Sequence, residues 1–425
     1  MWAIMAKSCA TTDMFRKWED IDFSVAMKNI RKLQLRIALA HRDGCADKVA
    51  ALQNKLIHSF YAKAIAVKIV TSKSGCRTPG VDNIVWNTSK DKFNAIATLN
   101  RRGYKPKPLK RIYIPKHSGG LRPLSIPTMK DRAMQTIYKL ALEPIAEITA
   151  DDASYAYRQQ RGAKRAVARC VEILSNQDYR FVLKLDVKSC FDSISHEWIL
   201  NNIPMDKTIL SKFIKCGYLR KAVLYESDCG VPQGGCLSSV ICNMVLDGLE
   251  SLLNSQFGDS VRLVRYADDM ILFIDTSTFP IQSALRLVED FLSERGLVLS
   301  KEKTALSSLD DGFTFLGYKI NRENERILAV PTERNINSLI EKVNKKIDEF
   351  KLKDGVCETK REAEYKINAF YDTIQFIVKG WYAYYWGIVP KDVLYDITLK
   401  LFSILNDLNA EGVRIVDPYE IFYMI

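Results

Sequence analysis

Hydrophobic positions recur at two periods along this chain, and the changes between them mark its units. From Val25 to Ala40, Ile30, Leu33 and Ile37 fall at helical spacing, and from Val49 onward Leu52, Leu56, Phe60 and Val67 continue it. The N-terminal quarter is therefore predicted to be amphipathic helices. Two short extended runs, Arg111 to Ile114 and Leu121 to Ile126, flank a turn that ends in Gly119 and Gly120, which tolerate the positive φ of a tight hairpin. Helical spacing returns around Met134 to Ala146, and Phe181 to Val187 reads as a buried strand carrying Asp186 near its end. Val261 to Tyr266 and Met270 to Ile274 form a second strand pair around Ala267, which places Asp268 and Asp269 at an exposed hairpin tip. Gln282 to Arg295 is a helix closed by Gly296, and Leu297 to Leu299 is extended again before Lys301 and Lys303. Ile336, Leu339, Val343, Ile347 and Phe350 share one helical stripe, so a C-terminal helical unit is expected from about residue 330.

With 425 residues, 47% hydrophobic, 26% charged and only 13 prolines, the chain has the composition of two or three packed units rather than of long disordered arms. The charge changes the picture more: 62 Lys and Arg against 50 Asp and Glu leave a net +12, which attracts a polyanion. Lys28, Arg31, Lys32, Arg36, Lys48, Lys55, Lys63 and Lys68 fall on the polar faces of the N-terminal helices, as a solvated surface or as a track for phosphates. The ten cysteines contain no C-x-x-C pair, and His41, His58, His117 and His196 are far apart, so zinc-ligand spacing is missing and reduced thiols in a cytosol are expected. No apolar run approaches the roughly 18 residues that span a bilayer, and the N-terminus lacks a basic leader, so neither secretion nor membrane insertion is expected.

Asp186, at the end of one strand, lies 82 residues before Asp268. Brought together on neighbouring strands, Asp186, Asp268 and Asp269 would form the oxygen-rich cage that magnesium requires, and paired ions in such a cage support phosphoryl transfer. The plain alternative is that Asp-Asp makes a good turn. The surrounding motifs decide between these readings. Tyr266-Ala267-Asp268-Asp269, with Leu185-Asp186-Val187 before it and Gly230-Val231-Pro232-Gln233-Gly234-Gly235 between, resembles a reverse transcriptase of the bacterial group II intron lineage. The resemblance covers nearly the whole chain. It includes Thr78-Pro79-Gly80-Val81-Asp82, Ile114-Pro115-Lys116, Leu121 to Thr128, Ser154 to Arg158, Leu299 to Thr304, Phe315-Leu316-Gly317-Tyr318 and Gly380-Trp381-Tyr382-Ala383-Tyr384-Tyr385, in family order.

The resemblance implies an α+β right-hand polymerase: a helical N-terminal extension (1–90), fingers (91–180), a palm with an antiparallel sheet (181–325) and a helical thumb (326–425). It implies that Asp186 and Asp268 hold two Mg2+ ions, with Mn2+ able to substitute, that the Val187 carbonyl completes a site, and that Asp269 supports the cluster. Phe191 would lie beneath the nucleotide sugar and exclude a 2′-hydroxyl, so that dNTPs are the substrates. Lys116 and Arg122 would grip the triphosphate, Gln233 and Gly234 would pack near the incoming sugar and base, and Lys303 would meet the leaving pyrophosphate. Each has a plainer reading as a core phenylalanine, a solvated hairpin or an exposed lysine.

Two departures concern helix starts: Gly235-Cys236-Leu237-Ser238-Ser239 replaces the family's Ser-Pro-Leu-Ser-Pro, and Gln159 replaces a proline. About forty residues follow the thumb signature, too few for the DNA-binding and endonuclease domains of mobile introns, so a stand-alone bacterial enzyme is expected. The nearest resemblance is to class-two defence-associated reverse transcriptases, which implies a cytoplasmic enzyme copying a structured non-coding RNA template repeatedly into cDNA against phage. A general, retron or diversity-generating reverse transcriptase, an RNA-dependent RNA polymerase and a non-catalytic maturase are the alternatives.

Overall fold

Asp22 starts the first helix by accepting the backbone N–H groups of Ser24 and Val25, donors that a helix start otherwise leaves unpaired. In the computed structural model, which describes residues 15–115, 119–176, 179–275, 281–351 and 360–410, this helix is α1 (Phe23–Arg42). It is followed by α2 (Ala46–His58), α3 (Phe60–Ser72) and α4 (Ser89–Thr98). The stripe from Val49 to Val67 is thus two helices rather than one, because Ser59 takes an extended backbone between them. Ile30, Ile37, Leu52, Leu56 and Val67 are buried in a single core. The opposite side of α1 leaves Lys28, Arg31, Lys32 and Arg36 exposed.

Strands β1 (Leu109–Pro115) and β2 (Leu121–Ile126) pair antiparallel from Pro115↔Leu121 to Lys110↔Ile126, as the hairpin pattern predicts. Next come α5 (Met129–Thr149) and α6 (Ala163–Asn176). Buried Asp131 ties this region together by accepting from the Tyr104 and Thr128 hydroxyls, each at 2.6 Å, while its burial raises its carboxyl above the usual range.

The chain then forms β3 (Phe181–Asp186), α7 (Cys190–Ser193), α8 (His196–Asn202), α9 (Lys207–Ile214), β4 (Tyr218–Arg220) and β5 (Val223–Tyr225). The hairpin of β4 and β5 is absent from the sequence reading; β4 joins β1 in parallel, giving a sheet ordered β2-β1-β4-β5. Helices α10 (Ser238–Leu246) and α11 (Leu249–Phe257) lead to β6 (Val261–Tyr266), β7 (Asp269–Ile274), α12 (Ile281–Ser293) and β8 (Ala305–Ser308). The central sheet is antiparallel in the order β6-β7-β3-β8. It is covered on both faces. Met270, Leu272 and Ile274 of β7 enter the core shared with the N-terminal helices, and Ile271 and Phe273 enter a second core. Burial on two sides explains why this strand reads as an unbroken apolar run.

The second core joins α6 to β9 (Phe313–Phe315), β10 (Tyr318–Glu323), β11 (Arg326–Pro331), α13 (Glu333–Lys351), α14 (Lys360–Tyr385) and α15 (Lys391–Ala410). The helical unit begins at Glu333, near the expected place, but the β10–β11 hairpin before it is also absent from the sequence reading. The expected boundary between palm and thumb, at 325/326, falls in the turn of this hairpin. Tyr318 donates its hydroxyl to the Tyr384 carbonyl at 2.6 Å, and Tyr384 donates to the Leu316 carbonyl at 2.8 Å, a mutual clasp between sheet and helix. Among the described residues no helix is long and apolar enough to cross a membrane.

Arg265 anchors the central sheet. Its side chain is fully buried on β6 in an ion pair with Asp247, whose carboxyl burial pushes up to about 6 against the attraction of Arg265. Its backbone exchanges hydrogen bonds with Ala153 and Tyr155 at 2.8 and 2.9 Å. Truncation would strand Asp247 as an uncompensated buried acid. Arg265→Ala is expected to cost about 3–5 kcal/mol of stability, measured by urea unfolding; a near-wild-type midpoint would show that the pair does not hold the sheet.

Candidate active site

The register of the central sheet sets Asp186, the last residue of β3, directly opposite Asp269, the first residue of β7. Asp269 also pairs with Tyr266 across the β6–β7 hairpin, so the turn consists of Ala267 and Asp268 alone. Only one of the two adjacent acids is at the tip, contrary to the sequence expectation, and neither is exposed: both are partly buried. Ala267 takes φ +56, a left-handed conformation that costs a residue with a Cβ roughly 1–2 kcal/mol and here turns the chain in two residues.

Three carboxylates at one sheet end repel one another. Burial raises Asp268 above the usual range and Asp186 adds to the rise, while Arg122 and Lys303 oppose it. Burial likewise pushes Asp269 up to about 6, opposed by Lys184 and Lys303 and reinforced by Asp186 and Asp268. Lys303 donates to Asp186 Oδ1 at 2.9 Å, and Lys184 Nζ lies 4.0 Å from Asp269 Oδ1, a buried oxygen with no hydrogen-bond partner. Val187 forms a bridge to Leu299, and Ser300 N–H donates to the Asp186 carbonyl at 2.8 Å, which fixes the strand end against the segment that leads to Lys303.

Among the described residues no three His, Cys, Asp or Glu side chains converge into a ready-made cage. The donor chemistry nonetheless fits a hard divalent cation, since such an ion would relieve the repulsion among the acids and satisfy the unpartnered Asp269 oxygen. Lys184 and Lys303 supply part of the positive charge that the cluster requires.

The residues that the resemblance assigns to the nucleotide assemble around a loop. Ser189, at φ +47, turns the chain from β3 into α7, where Phe191 packs partly buried against the core. The Phe191 carbonyl accepts from Val231 N–H at 2.6 Å, and Gln233 donates its side-chain amide to Asp192 at 3.1 Å. On the other side, Ser125 N–H donates to the Gln233 carbonyl at 2.7 Å. Gly234 at φ +110 lies so close that a Cβ would sit 2.6 Å from the Ser125 carbonyl oxygen, so this position requires glycine. The loop thereby joins β2 to α7. Arg122, Leu124, Phe191, Gln233, Gly234 and Tyr157 line one cleft of about 670 Å3. Lys116 lies outside the described residues.

Three participants escape the sequence reading. Lys184 shares a strand face with Asp186, a signal contained in the two-residue period of β3. Asp192, the partner of Gln233, is visible only once α7 is placed against the loop. Tyr157, held at φ +57 and largely exposed, enters the cleft through a backbone conformation that its sequence does not announce.

Residues 114–320 match the family model for reverse transcriptase (RNA-dependent DNA polymerase), and residues 18–99 match that for the N-terminal domain of reverse transcriptase. The chain is 27% identical over 326 residues to Protein YkfC of Escherichia coli (strain K12), an overlap covering 64% of this chain and 85% of that protein. It is 26% identical over 326 residues to the group II intron-encoded protein LtrA of Lactococcus lactis subsp. cremoris, covering 60% of this chain and 54% of LtrA. Among solved structures, telomerase from Candida albicans in complex with a TWJ fragment of telomeric RNA aligns at 15% identity and a TM-score of 0.42, over 74% of this chain and 65% of that one.

The fold is the expected right-hand polymerase, and the two matched stretches together span more than half of the chain. The chain belongs to the reverse transcriptase family, in the lineage of group II intron-encoded and related retroelement proteins, and is by class an RNA-directed DNA polymerase, an activity that depends on a divalent metal.

Proposed function

We propose that this protein copies a dedicated structured non-coding RNA into cDNA, in repeated rounds, in the cytoplasm of a bacterium defending itself against phage. The observation that carries the chemistry is the register that sets Asp186 against Asp269 with Asp268 in the adjoining turn. Asp186, Asp268 and the Val187 carbonyl would hold magnesium, with Asp269 beside them. Bound there, the metal supplies the charge that lowers the barrier to attack by the primer 3′-hydroxyl on the nucleotide α-phosphorus and to departure of pyrophosphate. Phe191 lies beneath the sugar and excludes a 2′-hydroxyl, while Gln233 and Gly234 form the wall beside it. Arg122, with Lys116, holds the triphosphate, and the long, largely exposed side chain of Lys303 reaches the leaving pyrophosphate.

The reading of a dedicated RNA is supported by the net charge of +12 and by the exposed basic face of α1. The defence role rests on the resemblance to class-two defence-associated enzymes. A general reverse transcriptase, with no partner RNA of its own, is the competing reading.

Asp268→Asn should abolish primer extension on a poly(rA) template with magnesium while the thermal melt stays close to wild type; a folded variant that extends normally would remove the acids from the catalytic role. Phe191→Ala should admit ribonucleotides more than it impairs dNTP use, read as the ratio of kcat/KM for rNTP and dNTP. An unchanged ratio in a folded variant returns Phe191 to the core. For the partner, RNA retained by the purified protein should be dominated by one species after a wash near 0.5 M salt, since purely electrostatic contacts weaken steeply with salt. A retained pool that mirrors the transcriptome leaves the general reverse transcriptase.

A further inference from the structure

The sheet β2-β1-β4-β5 has a face that none of these roles uses. Strand alternation turns Ile112, Arg122 and Leu124 toward the nucleotide cleft. The opposite face carries Arg111 and Tyr113 of β1, Tyr218 and Arg220 of β4 and Tyr225 of β5, brought onto one surface by the pairings Leu109↔Tyr218 and Tyr218↔Tyr225. These side chains are stacked on one another. The Arg111 guanidinium lies 4.0 Å from the centre of the Tyr218 ring, and Arg220 lies 5.2 Å from that of Tyr113. The Tyr218 and Tyr225 rings are 5.2 Å apart and within 10° of parallel.

Tyr113 and Tyr225 are 41% and 40% exposed, and Arg220 is exposed beside them. The four strands contain Lys110, Arg111, Arg122 and Arg220 and not one Asp or Glu. A covering protein would have to supply acids to compensate two guanidinium groups. A polynucleotide brings that compensation on every residue: phosphates for the arginines, and base faces for rings that stacking already holds flat. Bases in a duplex have no free faces, so the complementary ligand is unpaired. The DNA made by this class of enzyme is formed paired to its template, which leaves RNA as the single strand at hand.

We propose that this face anchors an unpaired segment of the protein's RNA, on the side of the sheet turned away from the cleft and therefore outside the stretch being copied. The inference rests on the RNA-directed reading above and adds to it a second, non-templating point of attachment. Tyr113 and Tyr225 are the stacking platforms, and Arg111 and Arg220 hold the flanking phosphates.

The test uses the full chain with its cleft filled by saturating unlabelled RNA–DNA hybrid. Fluorescence anisotropy then follows binding of a labelled, unstructured RNA of about 15 nucleotides, within the span that such surfaces accommodate. Tyr113→Ala with Tyr225→Ala should weaken binding by roughly tenfold for each ring, and the paired Tyr→Phe changes should restore it, since phenylalanine keeps the stacking face. A fully paired RNA of equal length should be insensitive to the alanine changes. Affinity for the unpaired RNA within twofold of wild type in the alanine variant overturns the proposal. So does unchanged RNA affinity accompanied by a loss of self-association in light scattering, which would assign the face to a second copy of the chain. Primer extension on the same preparations separates the two readings: wild-type protein that makes no DNA defeats the polymerase reading, whereas normal extension with unchanged RNA binding by the variant defeats only the anchor.

Discussion

The antiparallel pairing of β3 with β7 is the constraint on which the rest of this molecule depends. It forces two carboxylates into direct opposition at a sheet end, an arrangement that folding alone disfavours. The surrounding structure holds it by burying the sheet on both faces and by seating Arg265 against Asp247 behind the hairpin. Stability generated by apolar packing thus keeps a cluster of mutually repelling acids in place, its charge offset in part by Lys184, Lys303 and Arg122.

The same sheet organises the cleft beside the acids. β3 ends at Asp186, and a left-handed residue, Ser189, starts the short helix that carries Phe191. The Gly230–Gly235 loop rests on that helix through Val231 and Gln233, and on β2 through Ser125. Phe191 follows Asp186 by five residues of chain, and backbone hydrogen bonds from the loop tie its helix to the Arg122-bearing strand. Their relative placement does not depend on long side chains alone.

Much of this was legible in the sequence. Asp186 stands at the end of a short apolar run bounded by polar residues, and two extended runs on either side of Ala267-Asp268-Asp269 mark the β6–β7 hairpin. The two hairpins that escaped detection share a cause. One turns through Lys221 and Ala222 and the other through Asn324 and Glu325, all four at positive φ, so the glycine that usually marks such a turn is missing from both. The strands of the first are three residues long, too short to establish a period. The opposition of Asp186 and Asp269 was not legible either, because it depends on which strands pair and in what register. The same holds for the contact of Lys303 with Asp186, which spans 117 residues of sequence.

The sharing of β7 between two cores bears on how such a chain can be divided. Ile271 and Phe273 lie in the core that α6 shares with β9–β11 and α13–α15, and the Phe273 ring meets that of Phe313 on β9, so the C-terminal third supports the sheet that carries the acids as well as forming a helical unit. A fragment ending before β9 would leave part of that core open, with Phe273 losing the ring that packs on it. The strands β9–β11 and the helices after them are accordingly part of the support of the sheet on which the acids stand, through the core they share with it.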